Sequence, residues 1–381
     1  MLGIVNAEVY PVSGKQFPGT ILIEAGRLKA VGVDVDVPKN ATVIDAKGRP
    51  VTPGLIEAHG HVGVSNEGIG WEGSDTNERT DPVTPHVSAL DGINPEERGF
   101  MDFLKGGVTT VQVMPGSANI FGGTGVIIKT KPTSVVDTVI LKRDSGMKAA
   151  LGENPKRAHG RDNSRAPVTR MGSAAIMREW LQRAQEYLAK KEKGEEKYDA
   201  RLEALLPVIR GEMPLRIHAH RADDMGTAMR IAEEFGLRFS IEHATQGFKM
   251  AELLAERQVH CAVGPSMSHE AKVELEGVGF ATPVAFQRAG VPFCLTTDHP
   301  VVRALYLHMI AGMAAAHGVG ADGALRAVTL SAAEHLDVAD RVGSLDAGKD
   351  ADVVIWTGDP LDGRSRAHTV IIDGEVVYQE Q

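Results

Sequence analysis

The 381-residue sequence predicts an α/β protein, a (β/α)8 TIM barrel carrying a small β-sandwich built from both chain ends. Three observations carry that expectation. Short β-prone runs separated by Gly, Pro and Asn turns fill the first 50 residues, apolar strand-like runs alternate with amphipathic stretches from Val51 to Val342, and β character returns after that. The length suits a barrel of roughly 250 residues with one accessory unit. The sandwich is therefore placed at residues 1–50 and 343–381, and the barrel at 51–342.

In chain order, β-runs are expected at residues 3–10, 20–24, 28–33 and 42–45. Barrel strands follow at 51–61, 108–115, 126–130 together with 135–142, 148–153, 215–220, 239–243, 259–265 and 292–298, a count of eight. Between the fourth and fifth, Ser173 reads as a helix N-cap, and Ile176, Trp180, Ala184 and Leu188 recur at helical spacing as a core stripe. Residues 352–356 and 369–377 return to β-runs, so the two chain ends are expected to fold together. The Gly-rich stretch 116–125 lacks the lysine, hydroxyl and spacing of a phosphate loop. It reads as a flexible rim loop whose amides hold a substrate carboxylate, assisted by Lys129 or Arg170.

Composition removes several function classes. Apolar residues at 43% and charged residues at 24% supply a sizeable core and exclude disorder as the main theme. A net charge of −9 without a basic stripe interleaved with aromatics excludes nucleic acid as the expected partner. Cys261 and Cys294 are the only cysteines, and no basic then apolar leader opens the chain, so a cytoplasmic protein is expected. No apolar run approaches the roughly 20 residues that span a bilayer, so no membrane association is expected. A small-molecule substrate is the expected partner, with a homo-oligomer left open.

The strongest local signal is the apolar run 51–61, ending His59-Gly60-His61. Alternation along a strand points both imidazoles to one face, and neutral imidazole is a good ligand for zinc and similar divalent metals. Later runs end in ligand-type residues too: His218 and His220, then His243, then Asp298. In a (β/α)8 barrel the C-terminal strand ends open onto one face, so these side chains are expected to converge. His86, His269 and His299 read as loop or structural histidines.

The motif Val-Thr-Pro-Gly-Leu-Ile-Glu-Ala-His-Gly-His, the strand-end His218 and His243, the Thr-Asp298 pair and the tail Val342-Gly-Ser-Leu-Asp-Ala-Gly-Lys-Asp-Ala-Asp-Val-Val-Ile-Trp resemble the amidohydrolase superfamily. The similarity is to the branch containing imidazolonepropionase and related dipeptidases. It implies a divalent metal, zinc by expectation, as one or two ions. His59 and His61 would hold one ion, His218 and His243 a second or the rest of a single site, and Asp298 would be both ligand and proton shuttle. The family's fourth-strand bridging group is assigned to Glu153, with a carboxylated Lys148 as the alternative, and His220 is assigned to substrate. The implied activity is hydrolysis of an amide-type C–N bond in a cyclic amide, an N-acyl compound or a small dipeptide. Related deaminases carry a glutamate shortly after the fifth-strand histidine. Here that stretch reads His218-Ala-His-Arg-Ala-Asp223-Asp224, so deamination of a cyclic amidine is the minor alternative. A non-enzymatic metal-binding assembly protein is the third reading.

Overall fold

The computed structural model describes residues 1–380 as a mixed α/β protein with three sheets. The first sheet joins the chain ends. Strands β1 (Leu2–Val9), β2 (Phe17–Glu24), β3 (Arg27–Gly32), β4 (Thr42–Asp45) and β5 (Pro50–Pro53) come from the N-terminal part. Two further sheets, of four and six strands, lie between β6 (Leu55–Gly60) and β15 (Phe293–Leu295). The intervening strands are β7 (Val108–Val113), β8 (Phe121–Thr124), β9 (Val126–Lys129), β10 (Ile140–Lys142), β11 (Met147–Ala150), β12 (Leu215–Ala219), β13 (Phe239–His243) and β14 (His260–Val263). From the C-terminal end β16 (Val353–Trp356), β17 (Ala367–Ile372) and β18 (Glu375–Gln379) complete the first sheet in the order β18-β17-β16-β5-β1-β2-β3, with β4 on β1. The run expected at 369–377 is thus a hairpin turning at Asp373 and Gly374.

β6 pairs in parallel with β7, and β11 to β15 form an unbroken parallel series. They are buried on both faces almost throughout, polar side chains such as Gln112, Arg216 and His218 included. The region between them departs from the expected parallel alternation. β9 runs antiparallel to β7, and β8 runs antiparallel to β11. Four of the ten residues of the supposed rim loop, Phe121–Thr124, are therefore a strand, with Phe121 fully inside. Two small residues, Gly122 and Gly123, hid it from a reading based on β-propensity.

No backbone ladder joins β15 to β6, and the sheets are not closed. Side chains stitch that seam. The buried Glu57 carboxylate accepts from the Thr297 backbone N–H (2.9 Å) and from the Thr297 hydroxyl, while the single Thr296 hydroxyl proton is shared between Glu57 and the His59 carbonyl, 2.8 Å from Thr296 Oγ1. His61 N–H donates to the His299 carbonyl at 2.8 Å. These bonds fix the end of β6 against the end of β15, where His61 and Asp298 meet.

The helix Arg170–Lys191 is capped by Thr169, whose hydroxyl accepts from Gly172 N–H, rather than by Ser173, which lies in the first turn. Its buried stripe is Ala174, Met177, Leu181, Ala184 and Tyr187, with Ile176, Trp180 and Leu188 along the edge.

β16 is buried on both faces: Val353 and Ile355 pack among Ile4, Ile21 and Ile371, while Val354 and Trp356 pack into the large core with Phe103 and Leu104. Trp356 donates from its indole N–H to Thr52 Oγ1 at 2.8 Å and lies against Gly107, whose positive φ and missing Cβ make room for the ring. Lys129, expected near a substrate, is instead buried among Asp350, Asp352 and Asp373 beneath this sheet. Trp356→Ala should cost about 3–5 kcal/mol, read as a lower urea midpoint at an unchanged slope.

Candidate metal centre

β6, β12 and β13 end in histidine-bearing segments, and the turn after β15 carries Asp298. Five imidazoles meet there. Ring centroids lie 5.5 Å apart for His59 and His61, 4.9 Å for His59 and His243, 4.5 Å for His218 and His243, 4.6 Å for His218 and His220, and 4.9 Å for His220 and His243. Two groups have ligand atoms within 4.8 Å of one another: His59, His61 and Asp298, and His218, His220 and His243. Lys148 Nζ, fully buried, points from β11 to His59 Nε2 at 2.8 Å.

Backbone geometry makes this convergence possible. Glu242 and His243 are sequence neighbours and would face opposite sides of a regular strand. His243 instead adopts φ 78 and Ala244 φ 46, and this left-handed turn sends Glu242 beneath the cluster and His243 into it. Asp298 turns inward in the same way at φ 54. Non-glycine residues held in this region cluster at functional sites.

Four of the five rings have Nδ1 engaged from outside. His61 Nδ1 meets the Met114 carbonyl at 2.7 Å, and His243 Nδ1 the Gly264 carbonyl at 2.9 Å. A carbonyl only accepts, so both Nδ1 atoms carry the proton and both Nε2 atoms present lone pairs. His59 Nδ1 meets Glu242 Oε2 at 2.8 Å, and His220 Nδ1 meets Thr245 Oγ1 at 2.8 Å. His218 Nδ1 and Asp298 Oδ1 are buried without a hydrogen-bond partner. His61 Nε2 lies 3.2 Å from Asp298 Oδ1, so a lone pair faces a carboxylate oxygen, an arrangement relieved by a cation between them. The donor set fits a divalent metal on these grounds: neutral imidazoles with fixed tautomers, and orphaned donor atoms aimed into one space.

Electrostatics agree with neutral ligands. Burial, aided by the nearby Lys148, pushes His59 down to about 3 against the opposing pull of Glu242. Burial likewise holds His218, His220 and His243 below the ordinary histidine value. Lys148 is pulled down to about 8 by burial, although Asp298 and Glu242 oppose it.

Beneath the cluster Glu242 is wholly buried. Its Oε1 accepts from Ser240 Oγ at 2.6 Å and lies 3.3 Å from His335 Nε2 and 3.9 Å from Arg216. Burial opposes its ionisation, but His335 and His59 outweigh burial and hold it well below the usual carboxylate range. A carboxylate on the outer nitrogen of a ligating histidine fixes its tautomer and raises its basicity. Glu242→Gln keeps an acceptor for His59 but removes the charge. It should lower metal affinity about 10- to 100-fold, measured by chelator competition.

The structure thus brings together His59, His61, His218, His220, His243 and Asp298. Glu153, the residue assigned from the sequence as the fourth-strand ligand, is not among them. β11 stops at Ala150, and Glu153 starts the helical turn after Gly152, where its N–H donates to Glu274 Oε2 at 2.8 Å. Its carboxylate makes no hydrogen bond or ion pair among the described residues, not with Lys156 or Arg157 either. Lys148 holds the position between the rings. Arg170 pairs with Asp224, and His299 is buried against Phe103. Sequence reasoning missed Glu242 and also Glu274, whose Oε1 lies 3.8 Å from both His218 Nε2 and His220 Nε2. The acid directly before the strand-end His243 was the available signal for Glu242. Glu274 sits in a loop without pattern.

Comparison with known proteins identifies the family. A sequence profile of the amidohydrolase family matches residues 51–377. A solved amidohydrolase from Thermotoga maritima MSB8 is 40% identical, with a TM-score of 0.96 over 100% of both chains. The amidohydrolase tasK of Hapsidospora irregularis is 30% identical over 396 residues, covering 95% of this chain, while the chain spans only 40% of that relative's length. An imidazolonepropionase from Alkaliphilus oremlandii is 24% identical over 443 residues, covering 99% of this chain and 96% of its own. On the family-wide match and the full-length structural likeness, the chain belongs to the amidohydrolase family.

Proposed function

We propose that the protein is a metal-dependent hydrolase that uses water to cleave an amide-type C–N bond in a cyclic amide, an N-acyl compound or a small dipeptide. The observation that carries this reading is the set of inward-facing imidazole nitrogens grouped with Lys148 and Asp298, each histidine but His218 pinned from outside through its Nδ1. We read the two inner sheets, continuous through residues 121–129 and stitched at the Glu57 seam, as a (β/α)8 barrel with one antiparallel strand. The sheet of both chain ends is read as the accessory β-sandwich, extended to Pro53 by β5.

In this reading His59, His61 and Asp298 would hold one ion and His218 and His243 a second, and Lys148, 2.8 Å from His59 Nε2, would supply a further ligand as a carbamate, formed when its neutral Nζ adds CO2 and loses a proton. His220, between Thr245 and Glu274, faces substrate. When bound, zinc or a similar ion polarises the scissile carbonyl and eases deprotonation of the attacking water. Asp298 then does the proton work. Burial would raise its pKa, but the interactions with His243 and His61 outweigh burial and keep it ionised. Its Oδ1 accepts the proton as the water oxygen bonds to the carbonyl carbon. It then delivers that proton to the nitrogen as the C–N bond breaks.

The test is metal analysis of the purified protein, then assay of cyclic amides, N-acyl amino acids, dipeptides and cyclic amidines before and after chelation. Chelation should abolish turnover and zinc should restore it. Full activity without metal would sink the reading, and ammonia release from the amidines alone would make the protein a deaminase.

A further inference from the structure

Within the hydrolase reading just proposed, we infer that the rim beside His218 is a carboxylate subsite, formed by Lys272 and Arg157, which restricts the enzyme to amides carrying an acidic group next to the scissile bond. Asn154 is the hub of this rim. Its Nδ2 donates to Ser117 Oγ at 2.8 Å and lies 3.4 Å from His218 Nε2, so it touches the cluster directly. Two cations converge on its Oδ1: Lys272 Nζ at 2.9 Å and Arg157 NH2 at 3.5 Å. One neutral amide oxygen cannot balance two positive charges.

Glu274 balances only one of them. Its Oε1 receives Lys272 Nζ at 2.5 Å, and its Oε2 is occupied by the Glu153 N–H. The other acid flanking Gly152, Asp224, is taken by Arg170 at 2.9 Å. Arg157 has no acidic partner among the described residues, and neither do Lys156 and Arg165 on the same segment. Residues 153–170 hold five basic and two acidic side chains in a chain of net charge −9, so the local excess opposes the global one. A carboxylate placed between Lys272 and Arg157 would gain charge-assisted bonds, with its amide one residue length nearer the histidines.

Carboxylate selection can be measured as binding, apart from turnover. Zinc-loaded protein in the slow Asp298→Asn background is titrated calorimetrically with N-acetyl amino acids and with their carboxamide twins. The carboxylates should bind about ten-fold or more tightly than the carboxamides. Arg157→Met, an exposed change that spares the core, should remove most of that preference, and Lys272→Met, whose charge Glu274 already balances, a smaller part of it. The distant Lys193→Met should leave it intact. Equal binding of the twins, no binding of any carboxylate, or a preference that survives both substitutions would overturn the inference. Preferential carboxylate binding with no hydrolysis of any amide by the wild-type protein would support the subsite and reject the hydrolase reading.

Discussion

Asp298→Asn is expected to leave the fold in place while turnover falls about 10²- to 10⁴-fold. The amide is nearly isosteric with the carboxylate and can still accept from the Asp298 surroundings, but it cannot take a proton from water. Asp298 Oδ1 is buried, has no hydrogen-bond partner and lies 3.2 Å from His61 Nε2, among the ligand atoms where that transfer would take place. The second oxygen lies 3.9 Å from His243 Nδ1, at the seam closed by Glu57 and the two threonines. Because Asp298 also stands among the ligand atoms of His59 and His61, rate and metal stoichiometry must be measured on the same sample. A fully metallated variant with near-normal turnover would transfer the proton role to another group of the cluster, Glu274 or His220. Loss of both metal and rate would mean that the carboxylate acts first as a ligand.

The strand-end histidines were legible because their signal is local. His59 and His61 alternate on one apolar strand, and His218, His243 and Asp298 each end a β-prone run. The joining of the chain ends was legible for a similar reason, since Val353 to Trp356 is an apolar run too short to stand alone. What the sequence concealed depended on backbone departures from regularity. The left-handed turn at His243 puts Glu242 under the cluster, and no alternation rule foresees that. The antiparallel β8 has two glycines among four residues and little β-propensity of its own; pairing with β11 holds it. Lys272 and Glu274 lie outside any strand, and only tertiary packing brings them to Asn154.

The choice between Lys148 and Glu153 shows the same physics and gives the second large effect. Counting back from the Asn-Pro that ends the run put Glu153 at the rim and Lys148 five residues too deep. Yet β11 covers only Met147–Ala150, and a lysine side chain is long enough to climb from a mid-strand Cα to the level of the histidine rings. A lone lysine in the apolar run Met-Lys-Ala-Ala was itself the clue, because a fully buried lysine without a carboxylate partner is costly. Burial draws its pKa to about 8, so the neutral amine that can add CO2 is available near neutral pH. Lys148→Met should therefore reduce bound metal and cut turnover about 10²- to 10⁴-fold, the scale of several kcal/mol of lost charge stabilisation. Glu153→Ala should leave both close to wild type. Metal content by elemental analysis, intact mass for one added CO2 and initial rates on both variants decide between them. A collapse in Glu153→Ala alongside a sound Lys148→Met would restore the glutamate as the bridging ligand and require the turn after Gly152 to rearrange when metal binds.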